Sequence, residues 1–377
     1  MSGAVSLPSG RASEGRVLSL DALRGLLAVG VMAYHVLAWS DVVRLTALGT
    51  YAVYCFFVLS GFALEHVYGP RLRMAGAMRA YAAARVARIL PLYAAAALAA
   101  AALALVRGGS VDAFDLVQNL TLTFGLNNPG ATSTVVGGWS IGIEVVFYLL
   151  FPFLSLMGGS PRALAALFAV ALLARVAWIA ATWPVGASLA EVFVPYTQVV
   201  PFTVFFVAGV LSAHLLREVR LPRALVGRRR GLVPPILGLG LLAAMIATAT
   251  LDLDERTLFA GLTGAILTVA TCLAVYLVAL SPQPAGRAAT ISRLLGDASY
   301  GTYLLHPIVF GILTFAGVDG PARLALTVLI APACALGSYR LFEKPVGRSL
   351  RRGLEGAAGA TAARSPAPVP DVPAVSS

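Results

Sequence analysis

Long runs of apolar residues, separated by short polar segments, cover most of this chain. A helix that crosses a bilayer needs about 20 consecutive apolar residues, and about ten runs come close to that length. The pattern predicts an all-α fold, a polytopic membrane helix bundle over residues 18–345. A cytoplasmic tail is expected at 1–17, and a second, largely disordered one at 346–377. The predicted spans are 18–40, 47–67, 89–107, 138–157, 163–183, 197–216, 232–250, 257–280, 298–317 and 322–342.

Composition and charge agree with a membrane protein. The chain is 59% hydrophobic and 12% charged, whereas soluble domains are about 45–50% apolar and about 25% charged. Its net charge of +11 does not indicate a nucleic-acid partner, because the arginines fall in short loops between apolar runs. Basic loops alternate with acidic ones, which predicts that both termini are cytoplasmic. We therefore expect a multi-pass protein of a bacterial cell membrane.

The first apolar run carries Asp21, Arg24 and His35. Each ionisable group at membrane depth costs about 2.5–3.5 kcal/mol on insertion scales, so such groups indicate function. Arg24 and His35 lie on one helical face, about 16 Å apart along the axis, and Asp21 is placed to pair with Arg24. His35 is either a general base or a structural hydrogen-bonding group between helices, and its alignment with Arg24 favours the base.

Glu144 lies in the fourth span, at the depth predicted for His35. Two ionisable residues at the same depth on different helices are expected to avoid lipid, so we expect Glu144 and His35 to line one cavity. Glu144 would then orient His35 and stabilise its charge. A structural ion pair is the alternative role for Glu144.

Arg85 and Arg88 are three residues apart on the cytoplasmic approach to the third span. They are neighbours on one helical face and can therefore bind a phosphate group together. On spacing alone, ordinary orientation by positive charge at the inner surface is the stronger explanation.

Other polar groups are candidates for substrate binding. Trp139, Ser140 and Tyr148 share the fourth span with Glu144. His306 precedes Pro307 in the ninth span, where it either binds substrate or satisfies the backbone groups that the proline leaves free.

Two further carboxylates are expected to form ion pairs. Glu65 is predicted to pair with an arginine of the following loop, and Glu343 with Arg340 or Lys344. The three cysteines lie in apolar runs, so they predict buried small residues and no metal site.

Six segments, taken in order, resemble the membrane-bound acyltransferase-3 family, in the form without an appended soluble domain. Ala22 stands where relatives often have glycine, a harmless departure. The matching segments are Arg24 with His35, FFVLSGF at 56–62, Arg85 and Arg88 with Pro91 and Tyr93, Trp139-Ser140 with Glu144, Phe147, Tyr148 and Pro152, LGDASYGTYLLHP at 295–307, and Phe342-Glu343-Lys344-Pro345.

The resemblance implies an integral-membrane O-acyltransferase. Such proteins move an acetyl or longer acyl group from a cytoplasmic acyl-CoA to a hydroxyl of a carbohydrate, a glycolipid or a glycosylated small molecule. It implies that Arg24 and His35 are essential and that Arg85 and Arg88 handle the donor, for which acetyl-CoA is expected. No permanently bound cofactor is expected. We expect this chain to act alone or to pass acyl groups to a separate protein.

Two alternatives remain open from the sequence. His35 either takes a proton from the acceptor hydroxyl or carries the acyl group itself as an acyl-histidine. The whole chain is alternatively a secondary transporter of an organic or acyl solute, in which the intramembrane Asp, Arg, His and Glu residues form a relay.

Overall fold

The computed structural model describes residues 16–74, 76–157, 160–218, 232–248 and 255–363. All regular secondary structure within these ranges is helical. The α-helices are α1 Leu18–Trp39, α2 Thr46–Val67, α3 Ala77–Val106, α4 Ala113–Thr121, α5 Pro129–Thr132, α6 Gly138–Met157, α7 Pro161–Thr182, α8 Phe193–Tyr196, α9 Val200–Glu218, α10 Val233–Ala247, α11 Glu255–Phe259, α12 Gly261–Ala279, α13 Gly286–Phe315, α14 Gly320–Ser338 and α15 Lys344–Ala363.

Nine helices in the described ranges are long and apolar enough to cross a membrane. This confirms the predicted all-α polytopic bundle. The predicted span at 232–250 corresponds to α10, which has 15 residues. Part of that span, together with most of the N-terminal tail, lies outside the described residues.

Two helices are longer than the apolar pattern predicted. Helices α3 and α13 have 30 residues each and begin about three turns before the predicted spans. Arg85 and Arg88 consequently lie within α3, not in a loop. The prediction of a largely disordered tail from 346 was also wrong in part, because α15 continues to Ala363. It follows a turn of π-helix at Tyr339–Glu343.

Small residues allow the central helices to pack closely. A Cβ atom at Gly61 of α2 would overlap the carbonyl of Phe206 in α9, and one at Gly209 of α9 would overlap the carbonyl of Val58 in α2. Such reciprocal contacts let two backbones approach, as is common between membrane helices. Gly61 therefore packs α2 directly against α9. Helix α1 packs along α13 in the same way, with Gly296 against the Asp21 side chain.

Ion pairs join the helices at the arginine-rich end of the bundle, but their partners differ from the predicted ones. Asp21 was expected to pair with Arg24, yet it accepts a hydrogen bond from Arg16 Nε at 2.7 Å. The carboxylate of Asp21 is directed toward α13, where Arg16 also reaches Asp297 at 2.9 Å.

Two further ion pairs also replace the predicted ones. Glu65 pairs with Arg217 of α9, and Glu343 pairs with Arg88 of α3 at 3.0 Å. Both carboxylates were assigned partners close in sequence, whereas the packed bundle brings arginines from other helices to them.

Candidate functional site

Two neighbouring cavities open among α1, α2, α3, α6 and α13. The first, here called the vestibule, has a volume of about 330 Å3 and is lined by Arg16, Asp21 and Asp297, among others. The second, the inner cavity, has a volume of about 130 Å3. Three arginines line both cavities: Arg24, Arg85 and Arg88. The sequence placed Arg85 and Arg88 on the cytoplasmic approach to the third span, and the structure brings both of them together with Arg24 around one passage.

Protein contacts hold two of the three arginines. Arg85 donates a hydrogen bond to Tyr68 Oη at 2.9 Å and lies over the Tyr68 ring at 5.0 Å. Arg88 pairs with Glu343 and lies over the Tyr300 ring at 5.0 Å. Each guanidinium carries five N–H donors, so both retain donors for a ligand.

Arg24 differs from its neighbours. It forms no hydrogen bond or ion pair with a residue that the structure describes. Its guanidinium lines both cavities. A cation in this position provides an unused binding group for an anion or a carbonyl oxygen.

Glu144 lines the inner cavity, on the opposite side of the passage from the vestibule. Its Oε1 accepts hydrogen bonds from Ser60 Oγ at 2.7 Å and from Tyr148 Oη at 2.6 Å. Oε2 forms no hydrogen bond within the described part of the chain. The carboxylate is therefore oriented on one oxygen and available on the other.

His35 pairs with a second histidine. His35 Nδ1 lies 3.0 Å from His306 Nε2, and His306 Nδ1 lies 3.0 Å from the carbonyl oxygen of Thr302. A carbonyl oxygen only accepts, so His306 carries its proton on Nδ1 and accepts from His35 on Nε2. His35 then holds its proton on Nδ1, which leaves the lone pair of His35 Nε2 available as a base.

The expectation that Glu144 orients His35 was wrong. Glu144 bonds to Ser60 and Tyr148, and His306 is the described partner of His35. Depth along a helix places two residues at one level but does not fix the direction in which each points. His35 faces α13, because α1 packs along that helix.

Tyr303 connects the inner cavity with the histidine pair. Its side chain lines the inner cavity, and its ring centre is 6.4 Å from that of His306. The hydroxyl lies 2.8 Å from Ser140 Oγ and 3.0 Å from the carbonyl of Gly137. Neither His35 nor His306 lines the vestibule or the inner cavity. Tyr303 therefore borders both regions.

The other predicted binding residues lie in different surroundings. Ser140 and Tyr148 line the inner cavity. Trp139 lies outside both cavities, against the rings of Phe193 and Phe202. His306, for which substrate binding was one expectation, is 1% exposed and belongs to the histidine pair.

Sequence reasoning missed one buried arginine. Arg175 lies in the middle of α7 and is 1% exposed. An arginine within an apolar run is the same signal that identified Arg24, so the sequence could have revealed it. Tyr303 gave no comparable signal, because a tyrosine in a membrane helix is ordinary. The described residues contain no group of three or more His, Cys, Asp or Glu side chains placed to hold a metal ion.

Comparisons with known proteins identify the family of this chain. The exopolysaccharide production protein ExoZ of Rhizobium meliloti (strain 1021) is 28% identical over 317 residues, which cover 81% of this chain and 91% of that protein. No solved structure matches. A family model described as an acyltransferase domain matches residues 17–341, most of the chain. The chain therefore belongs to the membrane-bound acyltransferase-3 family and is an integral-membrane acyltransferase.

Proposed function

We propose that this enzyme moves an acetyl or other acyl group from a cytoplasmic acyl-CoA to a hydroxyl of a carbohydrate or glycosylated acceptor. The name of the relative, an exopolysaccharide production protein, supports a polysaccharide or a related glycan as the acceptor. The acceptor approaches from the end of the bundle near His35, which the loop charges predict to be the outer end.

The observation that carries this proposal is the convergence of Arg24, Arg85 and Arg88 on the passage between the two cavities. Guanidinium groups bind phosphate oxygens through paired, charge-assisted hydrogen bonds. The phosphates of CoA occupy the vestibule, and the acyl-bearing arm passes into the inner cavity.

His35 performs the proton transfer. Its Nε2 takes the proton of the acceptor hydroxyl while the hydroxyl oxygen forms a bond to the thioester carbonyl carbon. The carbon–sulfur bond then breaks, and the departing thiolate takes the proton from His35. His306 holds His35 in the required tautomer and accepts a hydrogen bond from the imidazolium, the role of the third group in a triad. Tyr303 has to move aside for the thioester to reach His35 from the inner cavity.

The direct test uses purified protein in lipid nanodiscs with radiolabelled acetyl-CoA and a glycan acceptor. We expect wild-type protein to release CoA and label the acceptor. The His35→Ala variant should lose about 10²–10⁴-fold of this rate. His214→Ala, a histidine near the end of α9, serves as the control and should retain full activity. Full activity of His35→Ala would contradict the proposal.

His306→Ala tests the positioning role separately. We expect kcat to fall about 10–100-fold, because His35 is then free to rotate and to hold its proton on either nitrogen. The KM for acetyl-CoA should remain within about twofold, since the arginine passage is intact. A rise in KM with unchanged kcat would show that His306 does not act through His35.

A further inference from the structure

The inner cavity presents a hydrogen-bond donor and an acceptor that have no partner among the described residues. Arg24 offers its guanidinium N–H groups, and Glu144 offers Oε2. The two side chains do not form an ion pair with each other, although both line the same cavity of about 130 Å3. The space between them therefore suits a group that accepts from Arg24 and donates to Glu144.

The position of the Glu144 carboxylate is fixed by its neighbours. Ser60 and Tyr148 both donate to Oε1. The ring of Tyr148 lies under the Arg85 guanidinium at 5.6 Å, and its backbone carbonyl accepts from Tyr81 Oη at 2.8 Å. Preorganised groups of this kind bind a ligand without the cost of ordering their own side chains.

Apolar side chains form much of the remaining wall. Phe56, Phe57, Ile89 and Ile141 line the inner cavity around the two charged groups. A charge-assisted hydrogen bond is stronger in such surroundings than in water. A ligand that leaves Oε2 without a donor leaves a half-buried carboxylate unsatisfied, which disfavours binding.

We propose that Glu144 binds the acyl donor through an amide N–H of its pantetheine arm, while Arg24 donates to an amide carbonyl of the same arm. A secondary amide supplies the carbonyl acceptor and the N–H donor that this cavity matches. The inference rests on the proposed function and deepens it, because it assigns the inner cavity to the arm and makes Glu144 a donor-binding residue. It also sets the substrate class as a thioester on an amide-bearing arm, as distinct from an acyl phosphate.

The test compares acetyl-CoA with analogues in which each amide N–H of the arm is replaced in turn by an ester oxygen. This exchange removes the hydrogen-bond donor and keeps the shape of the arm. With wild-type enzyme, one analogue should show a KM about tenfold higher than that of acetyl-CoA, as expected for the loss of a hydrogen bond to a charged group. The kcat with saturating donor should stay within about twofold.

The Glu144→Gln variant completes the experiment. Glutamine provides a neutral acceptor of the same shape. With it, the tenfold difference in KM between acetyl-CoA and the weaker-binding analogue should fall to about threefold. Glu355→Gln removes an exposed carboxylate on α15 and should keep the full tenfold difference.

Several results would overturn the inference. Equal KM values for acetyl-CoA and both analogues in wild-type enzyme would do so without any variant, even if Glu144→Gln failed to fold. An unchanged tenfold difference in Glu144→Gln would place the amide contact elsewhere. A collapse of kcat at unchanged KM in that variant would make Glu144 part of the chemistry. Absence of all transfer from acetyl-CoA would instead refute the proposed function.

Discussion

Arg24 and Arg175 are both arginines within apolar helices, yet the bundle treats them in opposite ways. Arg175 donates from Nε to Thr268 Oγ1 at 3.0 Å, from Nη1 to the carbonyl of Pro201 at 2.8 Å and from Nη2 to Tyr54 Oη at 2.8 Å. Arg24 has no hydrogen bond to a described residue and lies at the boundary of two cavities.

The surroundings extend the contrast. The Arg175 guanidinium lies over the rings of Tyr54 and Phe205, at 4.7 and 5.0 Å. Its acceptors come from α2, α9 and α12, so one side chain on α7 ties four helices together. A buried polar group whose donors are satisfied contributes to structure. One whose donors face an empty cavity is available to a ligand. The difference between Arg24 and Arg175 is therefore visible in their partners and not in their depth.

Among the variants that test this contrast between Arg24 and Arg175, Arg24→Met should have the largest effect. The variant loses a ligand contact but breaks no hydrogen bond within the described protein. We expect kcat/KM for acetyl-CoA to fall about a hundredfold, the equivalent of two charge-assisted hydrogen bonds of about 1.5 kcal/mol each. Thermal unfolding in detergent should change little. A variant that failed to fold would show that Arg24 resembles Arg175 after all.

Arg175→Met should lower stability and leave activity nearly unchanged, the reverse of Arg24→Met. The change removes the three hydrogen bonds that the guanidinium donates, to Thr268 Oγ1, the Pro201 carbonyl and Tyr54 Oη, and a hydrogen bond from a charged group is worth about 1.5–3 kcal/mol. Relief from burying a charge offsets part of this cost, so we expect a net loss of about 2 kcal/mol. Thermal unfolding should show a midpoint lower by several degrees. Activity per folded molecule should stay within about twofold, and a selective loss of activity would contradict the structural role.

Tyr54→Phe should give the smallest effect. It removes one acceptor of Arg175 and the hydroxyl that lies 2.7 Å from Tyr196 Oη. Arg175 keeps its other two acceptors, so we expect a loss of about 1 kcal/mol in unfolding free energy. Comparison with Arg175→Met in the same unfolding assay then shows how much of the stabilisation by Arg175 depends on this hydroxyl. An unchanged unfolding free energy would show that Arg175 stabilises the bundle mainly through Pro201 and Thr268.

Most of the membrane-spanning helices could be predicted because each needs a continuous apolar stretch, which is visible in the sequence. A span needs a minimum length of apolar residues, and that requirement can be read locally. The ends of α3 and α13 could not be read in this way, since helix continues past the apolar run wherever neighbouring helices support it. Packing on α3 also continues the helix after Glu343, where Gly347 lies against the carbonyl of Ala87.

The site was only partly predictable for a related reason. Arg85 and Arg88 were predicted to share a helical face, and both lie on α3 and line the same passage. The partners of His35, Asp21 and Glu343 depend on which helices touch and on how each is rotated. These are properties of the packed bundle, so an assignment by depth or by nearness in sequence chose Glu144, Arg24 and Arg340 or Lys344 instead.

The length of α3 and α13 has a consequence for how a donor is solvated. Thirty residues of helix extend about 45 Å, and the hydrocarbon layer is about 30 Å thick. Both helices are therefore about 15 Å longer than that layer is thick, and the vestibule is lined by residues two to three turns from their N-termini, Arg85 and Arg88 in α3 and Gly296 and Asp297 in α13. Under the proposed function, a nucleotide in the vestibule would stay near the aqueous headgroup zone while the acyl end of the donor enters the apolar bundle. The proposed donor would thus be divided between two solvents, and its strongly hydrated phosphates would not need to enter the membrane.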